Sequence, residues 1–251
     1  SEFVKRRGRT PTPTHVEMAS FRPLEACIGG LFIGAACGAY MLIAGRIAGN
    51  SGALKSCLLG PREASKTAFI GGLIGGGVLM KALLPSCFEA IVPLPLLQVA
   101  VAGLCVGVGT ALGNGCTSGH GLCGLSRLSK RSLVAVPTFM AAAIVTSTAM
   151  SGGRFGTPLP VAQTPQATLE VALRLAVGLA CALPACKLLS GRAKEIYTGL
   201  WTGACFAVGL SIGGMVRPSV ISQALSPAAF DGTLWVLFVT ALALTFATYR
   251  A

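Results

Sequence analysis

Apolar residues in this chain gather in long runs, and polar ones collect in the short gaps between them. Seven runs approach the roughly 20 residues a helix needs to cross a bilayer: 24–44, 67–84, 94–112, 133–150, 169–189, 197–216 and 234–249. None shows the strict alternation of a barrel strand. Helix, which satisfies its own backbone in lipid, is therefore the expected structure. Three further stretches, 45–59, 113–125 and 217–225, are too short to span and too apolar and glycine-rich for ordinary loops. Such segments sit at membrane depth only when buried in protein or lining a cavity, which predicts re-entrant half-helices.

An internal repeat fits this picture. GGLFIGAACGAYMLIAGRIAGNSG (29–52) shares its glycine rhythm with TGLWTGACFAVGLSIGGM (198–215) once a gap of about five residues is allowed, so that Gly45 and Gly49 fall on Gly209 and Gly213. The expected fold is all-α and polytopic, with about seven transmembrane helices plus re-entrant half-helices in two pseudo-symmetric halves. Residues 24–251 are read as one transmembrane domain and 1–23 as a basic tail.

Composition sharpens the class. Of 251 residues, 53% are hydrophobic and only 11% charged, against about 25% charged in an ordinary soluble domain. So little charge cannot cover a water-facing surface, which excludes a soluble globular enzyme. The apolar content excludes disorder, and the lack of a Gly-X-Y period excludes collagen. Gly, at 33 residues, allows the close helix approach on which packing in lipid depends.

A net charge of +12 would ordinarily raise nucleic acid as a partner. Here the positive residues fall between apolar runs, where loops of membrane proteins collect Lys and Arg, so membrane lipid and not nucleic acid is the expected neighbour. Threading seven spans puts Arg46, Lys55, Arg62, Lys66, Arg127, Lys130, Arg131, Arg192 and Lys194 on one side, opposed by Glu63 and Glu195. The positive-inside rule then places the C-terminus in the cytoplasm or matrix. The expected location is the bacterial cytoplasmic membrane or an organellar (mitochondrial) inner membrane. The tail, with Lys5, Arg6, Arg7 and Arg9, reads as a solvated or membrane-surface segment and not as a signal peptide. Most of the ten cysteines lie inside apolar runs. Cys37, Cys105, Cys181, Cys186 and Cys205 read as packing residues, and Arg174 as a partner for Glu170 one turn earlier.

The chemistry concentrates in GNGCTSGHGLCGLSRLSKRS (113–132). Between Gly113 and Gly124 stand five glycines, Cys116, Cys123, His120, Asn114, Thr117 and Ser118, a mixture that packing alone does not require. Glycines at near-alternate positions let backbone N–H groups converge on an anion. Thr117, Ser118 and His120 add donors, and Arg127, Lys130 and Arg131 add positive potential. A phosphate-binding P-loop fails because Gly115 is followed five residues on by His120 and not by Gly-Lys. A zinc site from Cys116, His120 and Cys123 lacks a nearby fourth ligand. Cys116 and His120, four apart, would share a helical face and could form a nucleophilic pair. The bland alternative is a glycine-rich packing turn, against which stands the cost of polar side chains in lipid. Nothing calls for a metal or an organic cofactor.

This segment strongly resembles the signature of the YeeE/YedE family of sulphur-transport membrane proteins, in its G-C-T-S-G-H-G core above all. GRIAGNSGAL (45–54) and GLSIGGMVRP (209–218) resemble two further family segments. The resemblance implies pseudo-symmetric halves around central re-entrant helices, uptake of thiosulfate, and passage of the ion along cysteine thiols, of which Cys116 matches one. Two departures stand out. The chain has no Cys-Pro-Gly turn near its end, and GRIAGNSG replaces an R-x-R-F-C element, with Cys57 slightly downstream. The resemblance thus extends to one cysteine of the three-cysteine relay, Cys116.

The expected function is membrane transport of thiosulfate or a related sulfur-containing anion, without enzymatic turnover. The expected binding residues are Asn114, Gly115, Cys116, Thr117, Ser118, Gly119, His120, Gly121, Cys123 and Arg127, with Arg46, Asn50 and Ser51 on the pseudo-symmetric partner segment. The alternative is a degenerate family member serving as a structural subunit among other membrane subunits. A thiol enzyme such as a sulfurtransferase is a third class, for which nothing shows a soluble substrate face.

Overall fold

A computed structural model of the chain describes residues 21–61, 63–89, 94–151, 165–225 and 230–250. The basic tail, apart from residues 21–23, lies outside them. The described residues are helical and contain no strand. Helices α1 (Pro23–Ala44), α3 (Ala64–Leu83), α4 (Leu96–Leu112), α5 (Lys130–Ser151), α6 (Pro165–Ala182), α8 (Gly191–Ile212) and α10 (Thr233–Arg250) coincide with the seven apolar runs. Four of them, α1, α3, α5 and α10, are long and apolar enough by themselves to cross a membrane. The short helices α2 (Asn50–Leu58) and α9 (Pro218–Ala224) and a π-turn (Gly119–Gly124) occupy the three glycine-rich stretches. The chain is thus an all-α polytopic membrane protein.

One run is broken. Leu183 and Pro184 end α6, and a single turn, α7 (Ala185–Leu188), follows. A proline inside a helix removes a backbone donor and clashes with the preceding turn, so 169–189 is not one helix. Cys186, on α7, and Cys205 are each 2% exposed, and Cys37 is buried too. Cys105 and Cys181 differ from expectation: both are exposed, on the outer faces of α4 and α6. Arg174 meets Glu170 at 3.4 Å, as their spacing implies.

The core is a quartet. Its two most extensive interfaces are α3 with α8 and α1 with α10, followed by α1 with α8. Missing side chains set these approaches. A Cβ on Gly30 would lie 2.6 Å from the Leu237 carbonyl oxygen, and one on Gly34 would lie 2.9 Å from that of Ala241. Gly199 and Gly203 likewise press against the backbone of α3 at Ser65 and Phe69. Contacts advance together along each of these pairs, so α1 runs parallel to α10 and α3 parallel to α8. At the centre, Gly29 near the start of α1 meets Gly209 and Gly213 near the end of α8, so these two helices are antiparallel.

Exchanging α1 with α8 and α3 with α10 maps one tight pair onto the other with direction reversed, which is an inverted repeat about an axis in the membrane plane. The structure also corrects the register of the repeat. Gly45 ends α1 in the left-handed region at φ 62°, and its counterpart is Gly214 at φ 77°, just past α8. The separation of 169 positions (214 − 45) also relates Gly30 to Gly199 and Gly34 to Gly203, within a shared G-L-x-x-G-A. No gap is needed. Gly209 and Gly213 are helix-contact glycines and do not correspond to Gly45 and Gly49.

Candidate functional site

At the end of the molecule where α1 stops, α2 and the segment between α4 and α5 enclose a cavity of about 860 Å³. Helix α4 closes in a turn that donates Gly115 N–H to the Thr110 carbonyl at 3.0 Å, with Asn114 in the left-handed region at φ 55°. Asparagine is among the few residues that visit this region readily. The chain then turns back through Cys116 into the π-turn, whose wide bore is a recurrent feature of functional segments. A second reversal, with Ser129 N–H on the Gly124 carbonyl at 3.0 Å, leads into α5.

Cys116 lies on the cavity wall, half-buried. Its sulfur is 3.1 Å from the Ser118 hydroxyl, and Ser51 and the backbone of Gly119 lie beside it. Gly49 precedes α2 in extended conformation without a side-chain cap, and Ser51, in the first turn of α2, lies beside this thiol. A Cβ on Gly119 would lie 3.7 Å from the sulfur, so glycine leaves its own amide unobstructed.

Of the residues singled out in the sequence, Ser51, Asn114, Gly115, Cys116, Gly119, His120 and Arg127 line the cavity. Ser118 stands behind Cys116, and Thr117 is exposed outside the lining. Gly121 packs on α10, where a Cβ would lie 2.9 Å from the Phe238 ring. Cys123 is buried, its thiol 3.3 Å from the Ala48 carbonyl and beside that of Cys37. Asn50 is not part of the lining, and its Oδ1 is buried without a partner.

Arg46 is placed elsewhere. It binds Glu63 at 2.5 Å and Glu195 at 3.5 Å, and Lys66 binds Glu63 at 2.7 Å. It borders a separate cavity of about 210 Å³ with Ser65, Lys194 and Thr198. Hydrogen bonding from the Lys66 ammonium, aided by Arg46, holds the Glu63 carboxyl below its ordinary 4.5. The second helix-terminal cation predicted for the site is thus committed to an ion-pair network that ties α1, α3 and α8 together.

Sequence reasoning missed Lys55, Thr110 and Ser132 in the lining and named Arg131 only as a source of positive potential. For Lys55 and Arg131 the available signal was position, since each follows a site segment by about one helical turn. Among the described residues, Lys55, Arg127 and Arg131 line the cavity and no carboxylate does. Such a lining focuses positive potential on any small anion that enters. Among the described residues, no group of three or more His, Cys, Asp or Glu side chains comes together as metal ligands.

Two curated proteins of Xylella fastidiosa resemble the chain. The one from strain Temecula1 is 38% identical over 123 residues, 49% of this chain and 91% of the relative, and bears the name "Probable transporter". That from strain 9a5c is 37% identical over the same shares and bears the same name. The chain belongs to their family. Since 123 residues make up half of one and nearly all of the other, these relatives are little more than half its length. No family model matches the chain, and no solved structure does.

Proposed function

We propose that this transporter-family chain carries thiosulfate, or a closely related sulfur-containing anion, through the cavity at Cys116, as a member of the YeeE/YedE family and without enzymatic turnover. One observation carries the reading: a cysteine facing the uncapped start of α2, in a cavity lined, among the described residues, by three cations and no carboxylate. A dianion leaving water needs its hydration replaced by converging donors and positive charge. The backbone N–H groups of Ser51 and Gly119, with the hydroxyl of Ser51, supply donors, and the half-helix dipole adds to the cations. The thiol marks preference for sulfur over harder oxyanions, since S–H is a weak donor suited to a soft acceptor.

The bacterial relatives favour a bacterial cytoplasmic membrane. A second reading, a subunit packed against other membrane proteins, draws on α4, which buries none of its residues. The test is uptake of radiolabelled thiosulfate into proteoliposomes. Cys116→Ala should abolish it while Cys181→Ala, on an outer face, leaves it intact. Normal uptake by Cys116→Ala would overturn the sulfur-anion reading, and no uptake by the unaltered protein would favour the subunit.

A further inference from the structure

The imidazole of His120 is 8% exposed and both its nitrogens are engaged within the protein. Nε2 lies 3.0 Å from the carbonyl oxygen of Gly113, and Nδ1 lies 3.0 Å from the hydroxyl of Ser132. A carbonyl only accepts, so Nε2 carries a proton and donates to Gly113, and Nδ1 shares the second hydrogen bond with the Ser132 hydroxyl. The ring therefore joins the last turn of α4 to the first turn of α5 across the loop that carries Cys116. Two glycines make room for it. A Cβ on Gly115 would lie 2.8 Å from Nε2, and one on Gly124 would collide with the Ser132 hydroxyl. The His120 N–H in turn reaches the Cys116 carbonyl at 3.0 Å, so ring and thiol belong to the same turn.

We infer that His120 is a positioning residue, which holds the 113–119 loop so that the Cys116 thiol stays against the Ser51 and Gly119 amides, and that it does not itself bind the anion. The inference rests on the transport reading for its effect on affinity, and on geometry alone for its effect on the loop. It accounts for the glycines at 115 and 124 together, as the clearance that a ring bonded at both nitrogens needs. It also separates His120 from Arg127, whose side chain is exposed at the cavity and free of any such bridge.

The test uses the full chain in proteoliposomes, with thiosulfate as probe, and three variants. In His120→Ala the half-saturating thiosulfate concentration should rise about tenfold, with the maximal rate per inserted protein falling less. His120→Gln, whose amide reaches as far as Nε2 and keeps a donor for Gly113, should return to within about threefold of the unaltered protein. Ser132→Ala, which removes one bond only, should fall between, and it decides the matter if His120→Ala fails to insert. Hydrogen exchange of the 113–119 backbone, measured on the same samples, should quicken at least threefold in His120→Ala and measurably but less in Ser132→Ala and His120→Gln, each of which keeps the bond to Gly113. Equal impairment of His120→Ala and His120→Gln with slow exchange in both would make the ring a direct ligand and overturn the inference. Unchanged half-saturation in His120→Ala would overturn it as well. If Cys116→Ala transports normally, the transport reading fails, and the exchange measurement still decides whether His120 holds the loop.

Discussion

Replacing Gly29 by alanine tests the packing that makes the inverted repeat possible. The new Cβ would stand 2.6 Å from the Gly209 carbonyl oxygen and 2.7 Å from the Gly213 Cα, where ordinary contacts are about 3.5–4.0 Å. Both neighbours are backbone, so no side chain can rotate aside and α1 and α8 must part by about 1 Å. A gap of that size forfeits a quarter to a half of each dispersion contact along the crossing. Overpacking of this kind costs about 1–3 kcal/mol, and with rigid neighbours the upper half of that range applies. Against it stands a gain of up to about 1 kcal/mol from replacing glycine in a helix, leaving a net loss of about 1–2 kcal/mol. Gly77, on α3, has nothing within 4 Å of its Cβ position. The same substitution there should be neutral or stabilise by up to about 1 kcal/mol. Unfolding of the two variants in lipid nanodiscs should therefore shift in opposite directions. If Gly29→Ala proves as stable as Gly77→Ala, the α1–α8 crossing is not held by backbone contact and the argument fails.

Other consequences are as definite. Arg127→Gln should raise the half-saturating thiosulfate concentration tenfold to a hundredfold, the scale of a charged hydrogen bond worth about 1.5–3 kcal/mol; loss of expression alone would reduce Arg127 to an anchor at the headgroups. Arg46→Gln should leave half-saturation within twofold and cost under about 1 kcal/mol, because half-exposed ion pairs contribute little. A tenfold loss of affinity would return Arg46 to the anion site. Since the Glu63 carboxyl is held below 4.5 in the folded chain, the network's contribution is present above that value and lost as pH falls through the lowered one. Nanodisc unfolding of Arg46→Gln should thus differ from the unaltered protein at pH 7 and converge with it in acid.

The spans were legible because lipid imposes one simple rule, a long apolar run, and each of the seven runs is helical, six of them without a break. Glycine-rich brevity marked α2, the π-turn and α9 for a similar reason: backbone at membrane depth must be covered by something. The interruption at Pro184 was visible too, though hydropathy averaged over it. Site membership was less legible. Segment 113–125 was found because its side chains make poor packing residues, yet spacing could not say which of them point inward. His120 reads as a donor to solvent or ligand until Gly113 and Ser132 are seen on its two nitrogens. Arg46 reads as an anion site until Glu63 and Glu195, remote in sequence, are brought to it by the α1, α3 and α8 packing. Lys55 carries an ordinary interfacial signature, and of the cations read beside the segment Arg131 borders the cavity while Lys130 does not.

The repeat also explains an asymmetry between the two ends of the molecule. Gly49 precedes α2 and Arg217 precedes α9, a separation of 168 positions (217 − 49) that sets Ser51 opposite Ser219. Each serine is the second residue of its re-entrant helix. The N–H and hydroxyl of Ser51 face the Cys116 thiol at the cavity wall. The N–H of Ser219 donates to the Glu89 carboxylate at 3.2 Å, and its hydroxyl donates to the same group. Beside it, buried Arg217 donates to the carbonyls of Ser86 and Cys87, each at 3.1 Å. One end therefore presents its serine to a thiol in a cavity, while the other has filled the equivalent place with an internal anion that pins the segment after α3 to α9. Glu89→Ala should leave the Ser219 donors without their acceptor and cost about 1–3 kcal/mol, read as earlier unfolding in nanodiscs. Glu89→Gln, which keeps an acceptor oxygen, should lose less than half as much. Thiosulfate half-saturation should stay within twofold in both, because the carboxylate lies at the end opposite the cavity. Equal stability of Glu89→Ala and the unaltered chain would show that the contact does not hold α9. A marked change in half-saturation would show instead that the two ends communicate through the α1–α8 crossing.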